Sequence, residues 1–430
     1  MEWVEGAWSR TVVIALCLVL LGFGLAPAPG AAQASGEAAD LTILIRSSNL
    51  PDALRDAIDA YAGDRGISVA YVVTAGSWPQ YYEQMLLMHV GGIPFDVAFV
   101  DQTYVPNAAQ GVLRDLTPFI ERDGISLNDF VPLGVESFRW NGGQYALPSY
   151  VSNLATGYNR NLFAAAGLPG IPTDWESGQF TWDDFVAFGR KLTVDRNGDG
   201  VVDQYALRRL PPWRLVPFMF DGDWIGDDGE PALLAPAVVK SIEQMAALTL
   251  EHELVIPSDG SAAWSRGDIG MDQVGQFTIP TMAGYAWDYG VGVLPEGGPP
   301  GTRSTILYAD GFAIGSGSQS LQLAWEFVKA FTMDPELGMV MPRAQASVPA
   351  YRALHSQYLD EVSAAYPAVD WAAFSEGLYR GRVFRIRFSP NFVEIEEALE
   401  RAINEVTSGA KAAASALREV EPVVRQLWRR

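Results

Sequence analysis

The sequence predicts an α/β fold, because strand and helix patterns alternate along the chain after residue 40. Residues 41–45 form a short apolar run, as in a buried strand, and apolar residues recur at helical spacing after Pro51. Residues 67–73 and 97–100 are further strand patterns, separated by a helix pattern over residues 81–90. This order predicts a largely parallel sheet with helices on both faces.

The length and charge of the chain restrict its organisation and its partners. With 430 residues, of which 49% are hydrophobic, the chain exceeds the usual size of one hydrophobic core, so two domains are expected. A net charge of −21 argues against nucleic acid or an anionic membrane surface as a partner. The three histidines, His89, His252 and His355, are far apart in sequence. Zinc sites and Ser-His-Asp triads therefore lack their usual components.

The first 34 residues have the pattern of a secretory signal peptide. An apolar run over residues 11–25 precedes Pro27 and Pro29, and the small-residue triplet at 32–34 precedes Ser35. The run is shorter than the roughly 20 apolar residues that a membrane-spanning helix needs. The only cysteine, Cys17, lies within the run and not at its end, which is unlike a lipid-attachment site. We therefore expect a free periplasmic protein without disulfides.

The ends of the predicted parallel strands indicate where a ligand binds. Sheets of this kind bind ligands at the carboxyl ends of their strands, which places residues 46–49, 74–78 and 101–104 on one rim. Ser47, Trp78 and Asp101 are the candidate contacts there.

Further patterns define the rest of the chain. Thr181 is the expected N-cap of a helix, residues 221–230 are a loop, and residues 290–301 are an exposed turn before a strand at 304–308. Apolar residues at helical spacing predict two amphipathic helices near the end of the chain, over residues 395–406 and 420–427.

Five short stretches, taken in order, resemble one known family. They are Phe-Asp-Val-Ala-Phe-Val-Asp at 95–101, Gly-Gln-Tyr-Ala-Leu-Pro at 143–148, Gly-Tyr-Asn-Arg-Asn-Leu-Phe at 157–163, Ala-Asp-Gly-Phe-Ala-Ile at 309–314, and Val-Pro-Ala-Tyr-Arg at 348–352. Their order and spacing resemble the extracellular solute-binding proteins of sugar ABC transporters, the family that includes maltose-binding protein. The resemblance extends from about Asp40 to the end of the chain.

The resemblance implies a periplasmic-binding-protein-like fold, with two α/β lobes, a ligand cleft between them and extra C-terminal helices. Lobe 1 would comprise residues 35–147 plus 310–344, and lobe 2 residues 148–309 plus 345–430. Closure of the lobes over a small molecule would present a shape that the permease in the inner membrane recognises. The resemblance also implies a monomer that has no catalytic activity and needs no cofactor.

A sugar site needs flat aromatic faces for ring C–H groups and fixed polar groups for hydroxyls. The candidates follow predicted strands, lie at the expected lobe crossings, or are tryptophans in stretches rich in glycine, proline or charge. The alternative for each tryptophan is that it packs in the hydrophobic core and does not contact a ligand. Arg352 is included because the family usually has a basic residue there. The candidate ligand-binding residues are Ser47, Trp78, Asp101, Tyr150, Asn153, Trp213, Trp224, Trp264, Trp287, Tyr308, Asp310 and Arg352.

One motif resembles a calcium loop. Asp195, Asn197, Asp199 and Asp203 occupy positions one, three, five and nine around a glycine at six, and the backbone carbonyl of Val201 would serve at position seven. The twelfth residue is alanine, which excludes an EF-hand. The alternatives are a structural calcium site and a polar turn whose aspartates bind their own backbone.

The predicted function is the substrate-binding component of an importer for a mono- or oligosaccharide or a polyol. Two alternatives remain open. A receptor for a cationic ligand such as a polyamine would also use aromatic rings and acids. A secreted carbohydrate-active enzyme would need a catalytic carboxylate pair, and the sequence singles out no such pair.

Overall fold

The structure is a computed structural model that describes residues 39–429. The expected signal peptide lies outside these residues. Eleven strands are present in the described part: β1 Leu41–Arg46, β2 Val69–Thr74, β3 Val97–Asp101, β4 Arg139–Trp140, β5 Gly143–Gln144, β6 Ala146–Asn159, β7 Tyr205–Leu207, β8 Ile269–Gly275, β9 Tyr289–Gly292, β10 Leu307–Ile314 and β11 Val348–Pro349.

Helices connect and cover these strands. The α-helices are α1 Asp52–Arg65, α2 Trp78–Val90, α3 Val105–Ala109, α4 Thr117–Arg122, α5 Pro132–Glu136, α6 Arg160–Ala165, α7 Trp182–Leu192, α8 Val216–Met219, α9 Pro236–Leu250, α10 Ser261–Arg266, α11 Ile279–Met282, α12 Leu321–Met333, α13 Val340–Ala344, α14 His355–Ala365, α15 Ala372–Ser375, α16 Gly377–Arg380, α17 Phe392–Thr407 and α18 Ala413–Trp428. Short 3-10 helices are Ser47–Asn49, Leu127–Asp129, Gln276–Thr278, Leu337–Met339, Arg352–Leu354 and Arg385–Phe388. Among the helices within residues 39–429, none combines the length and the apolar character that crossing a membrane requires.

The main sheet has nine strands and mixed directions. Seven of them follow the order β2-β1-β3-β10-β6-β8-β7, and β9 and β11 pair with β6. The pairs β1–β2, β1–β3 and β7–β8 are parallel, whereas β10 and the strands paired with β6 are antiparallel. The expectation of a largely parallel sheet therefore holds only for the first three strands and one further pair. It was wrong elsewhere because β10 returns from a distant part of the chain to lie beside β3.

Strand β6 is the longest strand of the sheet, and all 14 of its residues are buried. Its first part, to Asn153, pairs with β10 and β11. Its second part, from Leu154, pairs with β8 and β9. The strand is therefore a continuous link between two groups of partner strands.

The helix that was predicted to begin at Tyr81 begins at Trp78. Ser77 and Gln80 form a capping box, in which the Ser77 N–H donates to the Gln80 side-chain oxygen at 2.8 Å. Pro79 suits the first turn of a helix because its missing N–H is not needed there. Trp78 is therefore part of a helix and not of a free loop.

The expected exposed turn at residues 290–301 was partly wrong, since Tyr289–Gly292 is the buried strand β9. A Cβ on Gly290 would lie 2.3 Å from the Tyr158 ring, and a Cβ on Gly292 would lie 2.4 Å from the Ile171 side chain. These glycines allow close packing of a strand, which the sequence pattern did not distinguish from a turn.

The hydrophobic core falls into three clusters. One joins β1, β3 and β10 to helices α1 and α12. A second packs the other face of these strands against α2 and the segment around Tyr358 and Trp371. The third gathers the middle of the chain and both C-terminal helices, with Ile395, Leu399 and Leu417 buried. The two predicted C-terminal amphipathic helices are thus confirmed, and so are the loop at 221–230 and the Thr181 cap.

Candidate ligand-binding site

A cavity of about 510 Å³ lies at the carboxyl ends of β1 and β3, beside the middle of β6. Five of the sequence-predicted residues line it: Trp78, Asp101, Tyr150, Tyr308 and Asp310. Trp78 begins α2, Asp101 ends β3, and the others lie on β6 and β10. The strand-end rule and the expected lobe crossings therefore indicated one common place.

Trp78 supplies an aromatic surface whose orientation is held by several contacts. Its ring stacks on Tyr82, with centroids 5.7 Å apart and planes 19° apart, and it meets the edge of Tyr81 at 5.5 Å. The Arg46 guanidinium carbon lies 4.3 Å from the centroid of the same ring. These contacts keep the half-buried indole beside the cavity.

Asp101 is a buried carboxylate with one fully engaged oxygen. The Tyr82 hydroxyl and the Thr103 N–H each donate to its Oδ1 at 2.9 Å, and the Thr103 hydroxyl donates to the same atom. All the side-chain hydrogen bonds given to this carboxylate by residues 39–429 end on Oδ1. Oδ2 is therefore available to accept a hydrogen bond from a ligand.

Asp310 is the direct cross-strand neighbour of both Asp101 and Tyr150. The Tyr150 hydroxyl donates to its Oδ2. Burial and the nearby Asp101 carboxylate raise the pKa of Asp310 to about 7, although the Tyr150 hydrogen bond and the Arg46 charge act in the opposite direction. Asp310 therefore gains or loses its proton close to neutral pH.

The opposite wall of the cavity comes from the C-terminal part of the chain. Glu396, on α17, accepts a hydrogen bond from Arg387 Nε at 3.0 Å and one from Arg214 at 2.7 Å. Arg387 and Glu396 both line the cavity, together with Phe392. Arg214, Arg387 and Glu396 together carry a net positive charge. This charge lies on the wall opposite Asp101 and Asp310.

Apart from Pro79, the remaining lining residues are polar or aromatic, and the sequence reasoning missed all of them. Asn49 Oδ1 is buried without a hydrogen-bond partner in residues 39–429, and the Phe277 side chain is 47% exposed. Asn49, Ser77 and Thr103 lie on the predicted rim, so the strand-end rule could have found them. No local signal marked the others. The additional lining residues are Asn49, Ser77, Pro79, Thr103, Ser152, Phe277, Gln345, Ser347, Arg387, Phe392 and Glu396.

The four other predicted tryptophans lie outside this cavity. Trp224 is completely buried and meets the Trp213 edge at 5.2 Å, and both belong to the core that includes the C-terminal helices. Trp264 is 4% exposed and packs edge-on against Trp287 at 4.9 Å. The expectation that these tryptophans are open to a ligand was wrong, because Trp213 and Trp224 fill the core and Trp264 lies on helix α10, where it packs against Trp287.

Ser47, Asn153 and Arg352 are also placed outside the cavity. Ser47 is exposed on a 3-10 helix, and the Asn153 amide is fully buried behind the cavity, where it donates to the Phe374 carbonyl at 2.9 Å. The exposed Arg352 side chain donates to the Asn128 carbonyl. These contacts hold the Asn153 and Arg352 side chains away from the common site of the five lining candidates.

The predicted calcium loop is closed by its own backbone. Asp195 accepts from the Gly198 and Gly200 N–H groups at 2.7 and 2.8 Å. Asn197, Asp199 and Asp203 each accept one backbone N–H at 2.8 Å. These are the contacts of the polar-turn alternative. Within residues 39–429, no group of three or more histidine, cysteine, aspartate or glutamate side chains is placed to hold a metal ion.

Comparison with known proteins defines the family. The family model of bacterial extracellular solute-binding proteins matches residues 47–335, which is more than half of the chain. The chain therefore belongs to this family, and the resemblance seen in its motifs is confirmed.

A curated relative is the diacetylchitobiose binding protein DasA of Streptomyces coelicolor. It is 25% identical over 272 residues, which are 61% of this chain and 62% of the relative. The match therefore spans less than two thirds of the relative's length.

Solved structures confirm the fold. An ABC substrate-binding protein from Listeria monocytogenes in complex with cycloalternan matches with a TM-score of 0.75 and 20% identity, over 90% of this chain and 98% of that one. The cyclic alpha-maltosyl-1,6-maltose binding protein from Arthrobacter globiformis matches with a TM-score of 0.74 and 20% identity, over the same shares. The expected periplasmic-binding-protein-like α/β fold is thus confirmed.

Replacing Asp310 by asparagine should alter how stability depends on pH. The folded-state pKa is raised from 3.8 to about 7, so the folded state binds more protons than the unfolded state between these values. The free energy of unfolding of the wild type therefore falls as pH rises through this window, and that loss is absent in Asp310→Asn. From pH 5 to pH 8, the variant should gain roughly 3 kcal/mol relative to the wild type, because the wild type loses about 1.4 kcal/mol per pH unit below the Asp310 pKa of about 7 and little above it.

Urea denaturation at several pH values measures this difference. Asp64→Asn is the matched control, because Asp64 is exposed on α1 and its replacement should produce no such trend. A constant difference between Asp310→Asn and the wild type across the range would contradict the raised pKa.

Proposed function

We propose that this protein is the carbohydrate-binding component of an ABC importer, with a mono- or oligosaccharide or a polyol as its ligand. The observation that carries the proposal is the placement of the Trp78 ring beside the Asp101–Asp310 pair in one cavity. The indole provides a flat face for ring C–H groups, and the carboxylates accept hydrogen bonds from hydroxyls.

The chemistry of the opposite wall supports a neutral ligand. Arg387 provides donors held in place by Glu396, and Phe277 and Phe392 provide further apolar surface. Charges of both signs therefore face the cavity, which favours a ligand with many hydroxyls and no net charge. The similar proteins from Streptomyces coelicolor, Listeria monocytogenes and Arthrobacter globiformis are described as binding saccharides or as being in complex with one, which supports the same class of ligand.

We further propose that the cavity closes on its ligand. The proposed lobes are residues 35–147 plus 310–344 and residues 148–309 plus 345–430. Trp78 and Asp101 belong to the first set, and Tyr150 and Arg387 to the second, so a ligand that contacts all four would favour a closed arrangement. A permease in the inner membrane would recognise that arrangement.

The proposed location, oligomeric state and cofactor requirement follow from the role as an importer component. The signal peptide at residues 1–34 would direct the protein to the periplasm, where it would act as a monomer without catalytic activity and without nucleic acid as a partner. Binding through aromatic faces and hydrogen bonds needs no cofactor. If residues 195–203 bound calcium, the ion would be structural, because that loop does not line the cavity.

A thermal-shift screen tests the proposed ligand class. The panel contains maltose, diacetylchitobiose, ribitol and the polyamine spermidine. A carbohydrate or polyol should raise the melting temperature most, because a ligand that binds only the folded state stabilises it by mass action. A response to spermidine with none to the other three would replace the proposal with a cationic ligand.

Tryptophan variants show whether the response arises in the cavity. Trp78→Ala should weaken binding by roughly 1 to 3 kcal/mol, since it removes the aromatic face. Trp140→Ala is the matched control, because Trp140 is also a partly exposed tryptophan and does not line the cavity. Equal binding by both variants would place the site elsewhere.

Closure is tested by solution X-ray scattering with the carbohydrate that the screen identifies. The radius of gyration should fall when that ligand is added, because the two sets of residues approach each other. Identical profiles with and without saturating ligand would show a rigid site and would remove the shape change that the permease is proposed to sense.

Chelation tests the loop at residues 195–203. Its side-chain oxygens already bind backbone N–H groups, so EDTA should leave the melting temperature unchanged. A fall in the melting temperature that added calcium reverses, and that Asp199→Asn weakens, would instead establish a structural calcium site.

A further inference from the structure

Arg46 lies at the end of β1, next to the cavity but not on its lining surface. Its Nε is buried and has no hydrogen-bond partner among residues 39–429. A buried cationic donor without a partner costs free energy unless another contact compensates. Its close contact is the face of Trp78, where the guanidinium carbon lies 4.3 Å from the ring centroid. The residue is therefore held by a cation–π contact with the aromatic surface of the cavity.

A series of contacts links this ring to the acid pair. Trp78 stacks on Tyr82, with ring centroids 5.7 Å apart. The Tyr82 hydroxyl donates to Asp101 Oδ1 at 2.9 Å, and its oxygen accepts from the Asp101 N–H at 2.9 Å. A shift of the Trp78 ring would therefore disturb the tyrosine that orients Asp101.

Arg46 also acts on Asp310 through its charge. The charged and titratable groups that influence Asp310 are Asp101 on β3, Tyr150 on β6 and Arg46 on β1. Burial and Asp101 raise the pKa of Asp310, whereas Tyr150 and Arg46 lower it. Arg387, on the opposite wall, acts on Asp101 but is already bonded to Glu396. Arg46 is thus the cation that favours the ionised form of Asp310.

We propose that Arg46 is a positioning residue of the binding site: it orients the Trp78 ring and keeps the Asp101–Asp310 pair able to accept hydrogen bonds from ligand hydroxyls. The inference rests on the proposed carbohydrate-binding function and assigns to Arg46 two separable contributions. One depends on the shape and stacking of the guanidinium, and the other depends only on its positive charge.

Two substitutions separate these contributions in calorimetric titrations from pH 5.5 to 8.5. The ligand is whichever of maltose, diacetylchitobiose and ribitol stabilises the wild type most. Wild-type affinity should rise with pH as Asp310 ionises. Arg46→Lys keeps the charge, so affinity should fall by the same factor at every pH, about 3- to 20-fold for a weakened cation–π contact. Arg46→Gln loses the charge as well, so the midpoint of the affinity profile should move to higher pH.

Arg55→Gln is the matched control. Arg55 makes a similar cation–π contact, 4.8 Å from the Tyr71 ring centroid, and does not line the cavity. It should change neither affinity nor midpoint. If the midpoint of the affinity-against-pH profile of Arg46→Gln equalled that of the wild type, the proposal would be overturned. This holds whether the affinity of the variant is unchanged or is lowered equally at all pH values.

A measurement without ligand keeps the inference distinct from the proposed function. The pH at which Asp310→Asn gains stability over its parent should be higher when both proteins also carry Arg46→Gln, because the missing charge raises the pKa of Asp310. If the wild type bound none of the three ligands, the proposed function would fail. The stability comparison would still support the electrostatic role of Arg46 if Arg46→Gln moved the pH range in which Asp310→Asn gains stability to higher pH. It would overturn that role if this pH range stayed the same.

Discussion

The backbone pairing of the buried strand β6 determines how the other strands around the cavity are arranged. A buried strand must pair its backbone groups along its length, because unpaired buried N–H and C=O groups cost free energy. Strand β6 meets this requirement with β10 and β11 along its first part and with β8 and β9 along its second. Tyr150 and Ser152 lie just before this change of partners, and they line the cavity.

A β-bulge adapts the pairing at this point. The register between β10 and β6 shifts between Asp310 and Gly311, so that Asp310 lies opposite Tyr150 while Gly311 lies opposite Pro148. A Cβ on Gly311 would lie 2.3 Å from the Leu147 carbonyl oxygen, so only glycine fits this close approach. Bulges commonly redirect side chains beside a site, and this one brings the Tyr150 hydroxyl to the Asp310 carboxylate.

Burying Asp101 and Asp310 side by side costs folding free energy. Two neighbouring carboxylates repel each other, and burial adds to the cost of ionising the second. Tyr82 and Thr103 stabilise Asp101, whereas Asp310 has the Tyr150 hydroxyl and the more distant charge of Arg46. The raised pKa of Asp310 is the part of this cost that its neighbours do not offset. A ligand that donates hydrogen bonds to both carboxylates would offset it.

The amino-acid sequence was enough to predict most of the local elements, the family and part of the site. Strand-end position identified Trp78 and Asp101, because parallel strands present their carboxyl ends on one edge whatever the rest of the fold. Loop context failed for Trp224 and Trp264, because composition shows neither that Trp224 is buried in the core nor that Trp264 lies on a helix with its ring buried. Only the tertiary structure brought Arg387 and Glu396 opposite Asp101 and let burial and a neighbouring carboxylate raise the pKa of Asp310. Helical periodicity and capping depend on residues that are close in the sequence. The pKa of an ionisable side chain instead depends on every group that lies near it in space.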